Sequence, residues 1–250
     1  MIDQLLLFII SLLANAFSAF AGGGAGLLQL PALIFLGLPF SVALATHKIA
    51  TVALGFGATL RHFREHNLHK FYILTMLLAG VPGVVIGARI ILFIPDRSAE
   101  IALGLMTIGL GVYSVLKPRL GQACSPRNLN KRGALIGGFV LFSIGILNGS
   151  LTSGTGLFVT IWLIHWFGLD YKKAVAHTLV LVGLFWNGSG ALTLGLYGTI
   201  KWEWLPVLLL GSVLGGGYLG AHWSIVMGSA WIKRVYELII IAVGVFLILG

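Results

Sequence analysis

Two short clusters in the 250-residue chain place polar, chemically capable side chains inside apolar surroundings: Thr46-His47-Lys48 and His177-Thr178. Each follows a glycine-rich interruption, Gly22-Gly23-Gly24-Ala25-Gly26 before the first and Ser153-Gly154-Thr155-Gly156 before the second. Glycine costs about 1 kcal/mol relative to alanine in a helix interior, so successive glycines in mid-segment break a helix. At membrane depth the freed N–H groups are tolerated only where protein or a water-filled cavity satisfies them. Half-helices starting near Leu27 and Leu157 would aim the positive ends of their dipoles into the middle of the protein, where they favour an anion. The candidate substrate-binding residues are therefore Gly24, Gly26, Thr46, His47 and Lys48 from the first unit. From the second they are Ser153, Gly154, Thr155, Gly156, His177 and Thr178.

Lys48 lies seven residues into an apolar run, ~10 Å along a helix. Two readings follow: it snorkels to the interface, or it faces an anion cavity. His47 and His177 would relay a coupling proton or donate to the anion; alternatively each hydrogen-bonds a neighbouring helix. Asn148, Ser150, Thr152 and Gln29 supply uncharged donors near the breaks. Arg89 and His222 sit near helix ends and read as snorkelling groups. Trp186, Asn187 and Ser189 read as a helix contact, and Gly80, Gly83, Gly87, Gly211, Gly215, Gly216 and Gly220 as close helix packing. Catalysis is disfavoured. The serines around Asn148-Gly149-Ser150 lack the G-x-S-x-G arrangement of a nucleophile elbow, and the matching place in the other half holds no serine. Carboxylates enter the apolar runs only near their ends, as at Asp3 and Glu237, which argues against a cation pump. The lone cysteine, Cys124, makes no disulfide framework or metal motif, and nothing in the sequence calls for a cofactor.

The composition makes lipid the surrounding solvent: 58% of residues are hydrophobic and 9% charged, far from a soluble domain. The segments are apolar all round over lengths near the ~20 residues of a spanning helix, which selects helices over a β-barrel. Net charge +9 would suggest nucleic acid in a soluble protein. Here the cations sit in loops between apolar runs and read as topogenic charge, so no nucleic-acid partner is expected.

Along the chain, a broken segment 4–36 precedes apolar runs at about 41–63, 71–94 and 99–116. A polar connection follows, and then a broken segment 133–167 with runs at about 174–196, 204–227 and 232–249. This divides the chain into a first transmembrane repeat, 1–118, a cytoplasmic connecting loop, 119–132, and a second repeat, 133–250. Gly24, Gly26 and Leu27 match Gly154, Gly156 and Leu157. Ala43 and Ala45 match Ala174 and Ala176, which sets Thr46 opposite His177 and His47 opposite Thr178. Such duplication marks secondary transporters. The cation distribution then decides orientation. If the broken segments cross once, Lys172, Lys173, Lys233 and Arg234 fall outside, giving nine cations inside against seven. If they are hairpins, only Lys48, Arg89, Arg97 and Lys201 stay out, giving twelve against four and the better agreement with the positive-inside rule. The expected fold is an all-α membrane protein of two inverted repeats. Each is a re-entrant, broken hairpin plus three transmembrane helices, with both termini outward. The sequence carries no signal for an oligomeric state.

At these residues the chain resembles the TauE/SafE sulfite exporter family of bacterial inner-membrane transporters, over essentially its whole length. The resemblance rests on the glycine-rich break Gly22–Gly26, Pro31-Ala32-Leu33, Gly37-Leu38-Pro39 and Ala45-Thr46-His47-Lys48. It implies a secondary transporter, by alternating access and without ATP, of a small sulfur-containing anion such as sulfite or an organosulfonate. A passive anion channel is the alternative. The chain departs from the family pattern in three places: His47 stands where asparagine is usual, His177 where a Thr-Ser pair often begins, and the second break is richer in serine and threonine.

Overall fold

In a computed structural model the described residues are 2–21, 25–64, 68–116, 125–197, 200–219 and 229–249, and every element among them is helical. The first half begins with α1 (Ile2–Ala21). After the break come a single 3₁₀ turn (Ala25–Leu27) and the short α2 (Gln29–Phe35). Next is α3 (Phe40–Arg64), then α4 (Lys70–Thr75), which continues through a π turn (Met76–Gly80) into α5 (Val81–Ile90), and finally α6 (Asp96–Leu116). The second half repeats the order. α7 (Lys131–Ser150) and α8 (Thr155–Phe167) flank the second break, and α9 (Tyr171–Val180) passes through a π turn (Leu181–Trp186) into α10 (Asn187–Gly195). α11 (Leu205–Val213) and α12 (Ser229–Leu249) close the chain. The segments Lys70–Phe93, Lys131–Ser150 and Tyr171–Gly195 are each long and apolar enough to cross a membrane. Leu78, Leu135, Phe139 and Leu192 stand outward with no protein cover, as a lipid-facing surface requires.

Beyond the second break the chain turns back. The Trp162 indole donates to the Gly137 carbonyl and the Trp166 indole to Gly133, so α8 runs antiparallel along α7 to the end where α7 began. There the carbonyl of Gly168, which caps α8 at φ +71°, accepts from Ser125 N–H. Glycine is suited to that left-handed position because a Cβ is disfavoured there. The first break behaves alike. Gln29, just past it, bonds back to Ser11 in the middle of α1. Both broken segments are thus hairpins of helices.

Equivalent helices of the two halves meet antiparallel. Arg97 at the start of α6 donates to the Leu247 carbonyl near the end of α12, at 3.0 Å, while Gly111 near the end of α6 packs on Ile240. α3 crosses the 171–195 helix in the same sense, with Lys48 against Gly190, Thr51 against Asn187 and Gly55 against Gly183. At that crossing a Cβ on Gly55 would collide with the backbone of Gly183 and Leu184, so the glycine is what lets the helices approach. Each hairpin also leans on the other half. α7 runs parallel to the 70–93 helix, Gly138 beside Thr75 and Gly149 beside Val84 and Ala88. α1 runs parallel to α11, with Ser11 bonded to Leu208 and Asn15 to Ser212. Trp186 fills the space left by Gly80, and its indole donates to the Met76 carbonyl, so the two π turns interlock.

Candidate functional site

The two breaks meet. A Cβ on Gly26 would lie 3.1 Å from Ser153 Cα, 3.2 Å from the Thr152 methyl and 3.1 Å from His47 Nε2. Beside this junction lies a cavity of about 40 Å³, room for roughly three waters or a solute of a few heavy atoms. Its wall is built from both halves: Ala25, Gly26, His47 and Thr51 from the first, Asn148, Thr152, Thr155, Gly156, Thr178 and Asn187 from the second.

The second break is a strained and tightly wired turn. Thr152 has φ +55° and Gly154 φ +69°. A β-branched residue in the left-handed region is an outlier that persists only where its surroundings over-determine it. They do so here. Thr152 Oγ1 accepts from Lys48 Nζ at 3.0 Å, and its carbonyl accepts from Thr155 Oγ1 at 2.6 Å. Asn148 Nδ2 donates in turn to Thr155 Oγ1 at 2.8 Å.

Lys48 does not snorkel. Its side chain is 0% exposed, and Nζ donates to Asn148 O at 2.8 Å, Asn148 Oδ1 at 3.1 Å, Thr152 Oγ1 at 3.0 Å and Asn187 Oδ1 at 3.4 Å. Its aliphatic stem runs over Gly190, where a Cβ would stand 2.9 Å from Cδ. All four acceptors are uncharged, and among the described residues Lys48 forms no ion pair. The Lys48 amino group therefore sits directly behind the cavity wall formed by Asn148, Thr152 and Asn187, with no carboxylate beside it among the described residues.

His47 occupies the next position on α3, is 2% exposed and reaches the cavity itself. Its Nδ1 lies 2.7 Å from Gln29 Oε1. The counterpart of this pair is Thr178 with Thr160, whose hydroxyls are 2.8 Å apart; in both pairs the partners are 18 positions apart in sequence. Thr46 and His177 form a second matched pair, and both point away from the cavity. Thr46 Oγ1 accepts the backbone N–H of Lys201 at 3.0 Å, and His177 Nε2 accepts that of His69 at 2.9 Å. Each thereby ties down the loop ahead of the third helix of the opposite half. The His177 Nδ1–H donates to the Lys173 carbonyl, so both its ring nitrogens are engaged.

Of the residues expected from sequence, Gly26, His47, Thr155, Gly156 and Thr178 line the cavity. Lys48 stands behind it and Thr46 and His177 face loops. Ser153 and Gly154 lie at the junction, Ser153 wholly buried with its Oγ making no hydrogen bond and Gly154 against Leu27 and Leu110. Gly24 lies outside the described residues. Sequence reasoning missed the part taken by Asn187 and Thr51. Asn187 bridges Thr51, through Nδ2 at 2.9 Å, to Lys48 and Thr152 through Oδ1. An amide in the middle of an apolar run was the available signal.

The family model for the sulfite exporter TauE/SafE matches residues 7–247. The chain belongs to the TauE/SafE family. Relatives of this TauE/SafE protein include a probable membrane transporter protein of Haemophilus influenzae, 29% identical over 91% of this chain and 88% of its own. Another is the probable membrane transporter protein ORF9 of a Sinorhizobium species, 27% identical over 97% of this chain and 91% of its own. The probable membrane transporter protein YfcA of Escherichia coli K12 is 29% identical over 84% and 76%. No solved structure matches the chain. A bacterial membrane transporter is thus the coarse identity.

Proposed function

We propose that this protein is a secondary transporter of a small, sulfur-containing anion such as sulfite or an organosulfonate, bound in the cavity between the two breaks and released by alternating access. The observation that carries this reading is Lys48: a wholly buried basic group held by four neutral oxygens and, among the described residues, no carboxylate, directly behind a cavity of few-atom size. A buried charge is costly unless it is compensated, and an anion in that cavity compensates it. The wall adds the Thr178 hydroxyl and the Asn187 amide, donors suited to oxyanion oxygens.

The halves 1–118 and 133–250 form inverted repeats on this reading, with re-entrant hairpins and both termini outside the bacterial inner membrane. The antiparallel contact of equivalent helices, α6 with α12 and α3 with 171–195, supports it. So does the return of the second hairpin to its own end. Rocking of the halves about the Gly55–Gly183 crossing would open the cavity to either face.

Uptake into proteoliposomes, measured for sulfite, thiosulfate, sulfoacetate and simple carboxylates, tests the reading. Saturable flux of at least one sulfur anion, lost in Lys48→Met, is the expected outcome. Flux that never saturates would replace the transporter with a channel, and full activity in Lys48→Met would remove the site assignment. Labelling of a C-terminal cysteine from the cytoplasmic side would overturn the inverted topology.

A further inference from the structure

His47 Nε2 is the one ring nitrogen of the cavity, and it makes no hydrogen bond to the described residues. Its opposite nitrogen is tied to a chain of hydrogen bonds whose direction is set at the far end by distance. Ser11 Oγ lies 2.7 Å from the Leu208 carbonyl, which can only accept, and 3.2 Å from the Ser212 hydroxyl, so the shorter contact takes the Ser11 proton. With its proton committed, Ser11 Oγ accepts from Gln29 Nε2 at 2.9 Å. The Gln29 amide is thereby oriented with Oε1 toward His47, 2.7 Å from Nδ1. A carbonyl oxygen accepts only, so the proton must be on Nδ1. Neutral His47 is the Nδ1–H tautomer and turns the Nε2 lone pair toward Gly26 and the cavity.

Resting on the anion reading above, we propose that Gln29 is a positioning residue. By fixing the His47 tautomer, it makes the cavity take its anion together with one proton, as a hydrogen oxyanion whose O–H lies against Nε2. A dianion meeting the lone pair is repelled. The same anion carrying one proton donates its O–H to Nε2, while its remaining oxygens face the Thr178 hydroxyl and the Asn187 amide. Whether the proton rests on oxygen or on Nε2, the bound unit is one anion plus one proton, and Nδ1–H keeps its bond to Gln29 in both states. The groups around Nε2 fit this count. The second break and α7 present Thr152, Thr155 and Asn148, α9 presents Thr178 and α10 presents Asn187, all neutral. The nearest charge is Lys48 on α3 itself, held behind the wall. The second half cannot do the same, since its equivalent pair is Thr160 with Thr178.

Two measurements test the proposal. Nitrogen NMR of histidine-labelled protein without ligand, with the His47 signal identified by its loss in His47→Asn, is expected to show the Nδ1–H tautomer. Gln29→Leu is expected to convert it. An Nε2–H tautomer in the wild type overturns the proposal whatever the ligand. Calorimetric sulfite binding at mildly alkaline pH, in buffers of different ionisation enthalpy, counts protons taken up with the dianion. About one per sulfite is expected in the wild type, by linkage. The count should fall to near zero in Gln29→Leu and His47→Asn and persist in Gln29→Glu, which keeps an acceptor for Nδ1–H. Sulfite binding without proton uptake, or a wild-type count in Gln29→Leu, refutes the proposal and leaves the anion site standing. Failure of every anion to bind the wild type instead removes the anion reading, and the tautomer measurement then decides the role of Gln29 alone.

Discussion

The same constellation occurs twice in this molecule with two different outfits. In the first half Thr46 caps a loop, His47 pairs with Gln29 at the cavity and Lys48 lies behind its wall. In the second half His177 caps the corresponding loop, Thr178 pairs with Thr160 at the cavity, and the place after it is Leu179. The paired contacts recur in both halves and the charge does not. The crossing of the hairpins and the position of the cavity come from both halves, since each broken helix is buried against the other half. Charge chemistry is concentrated on one half: a second buried lysine in place of Leu179 would put two uncompensated cations around one small cavity.

Breaking the charged side of this comparison should have the largest effect. Lys48→Met keeps the volume of the side chain but leaves four buried acceptors with one donor fewer, Asn148 through both its oxygens. Losing the partner of a buried polar group costs about 1–3 kcal/mol. Transport in proteoliposomes should disappear, and thermal unfolding should shift down together with it. Leu179→Lys, the converse change, should fail to substitute for Lys48 when the two are combined, because Leu179 lines the cavity itself and a lysine there would fill it; rescue of flux in the double variant would refute the asymmetry.

The shared framework should break at its closest approach. Gly55→Ala drives a methyl into the backbone of Gly183 and Leu184, and overpacking of this kind costs about 1–3 kcal/mol. The unfolding temperature should fall. By contrast, the Cβ of Gly26→Ala would stand no closer than 3.1 Å to His47, Ser153 or Thr152. That variant should fold nearly as well as the wild type and lose anion affinity, so a calorimetric titration separates the two glycines.

The loop-facing pair should matter least. Thr46→Val and His177→Ala each remove one acceptor from a backbone N–H, at about 1 kcal/mol. Each should lower the unfolding temperature by a few degrees and leave the KM for the transported anion unchanged. A changed KM in Thr46→Val with normal stability would move that residue into the site.

Much of this was legible before the fold was known. The glycine breaks, the apolar run lengths and the duplicated Ala-x-Ala motif located the helices closely. α3 begins at Phe40 and the 171–195 helix at Tyr171, near the expected starts, although the half-helices begin at Gln29 and Thr155 rather than at the leucines nearby. What was not legible was rotation. In a soluble helix the polar stripe reveals which side faces out. A helix that is apolar all round offers no such stripe, so the neighbours Thr46, His47 and Lys48 were read as one cluster when their side chains leave the helix in three directions. For the same reason the sequence alone makes Asn187 a helix contact and Gln29 a generic donor.

The sequence by itself determined that this is a helical membrane protein with two interrupted segments, a duplicated plan and the motifs of its family. Those properties follow from local costs: glycine in a helix, charge in lipid, and repeated spacing along one chain. Only the tertiary structure decided that Lys48 is buried among four oxygens from the other half, that His47 is held from behind by Gln29 and Ser11, and that Thr46 and His177 serve loops. Each of those outcomes depends on which helix lies opposite, and that is set by packing between residues 18 positions apart for His47, Gln29 and Ser11 and a hundred or more apart for Lys48, Thr46 and His177.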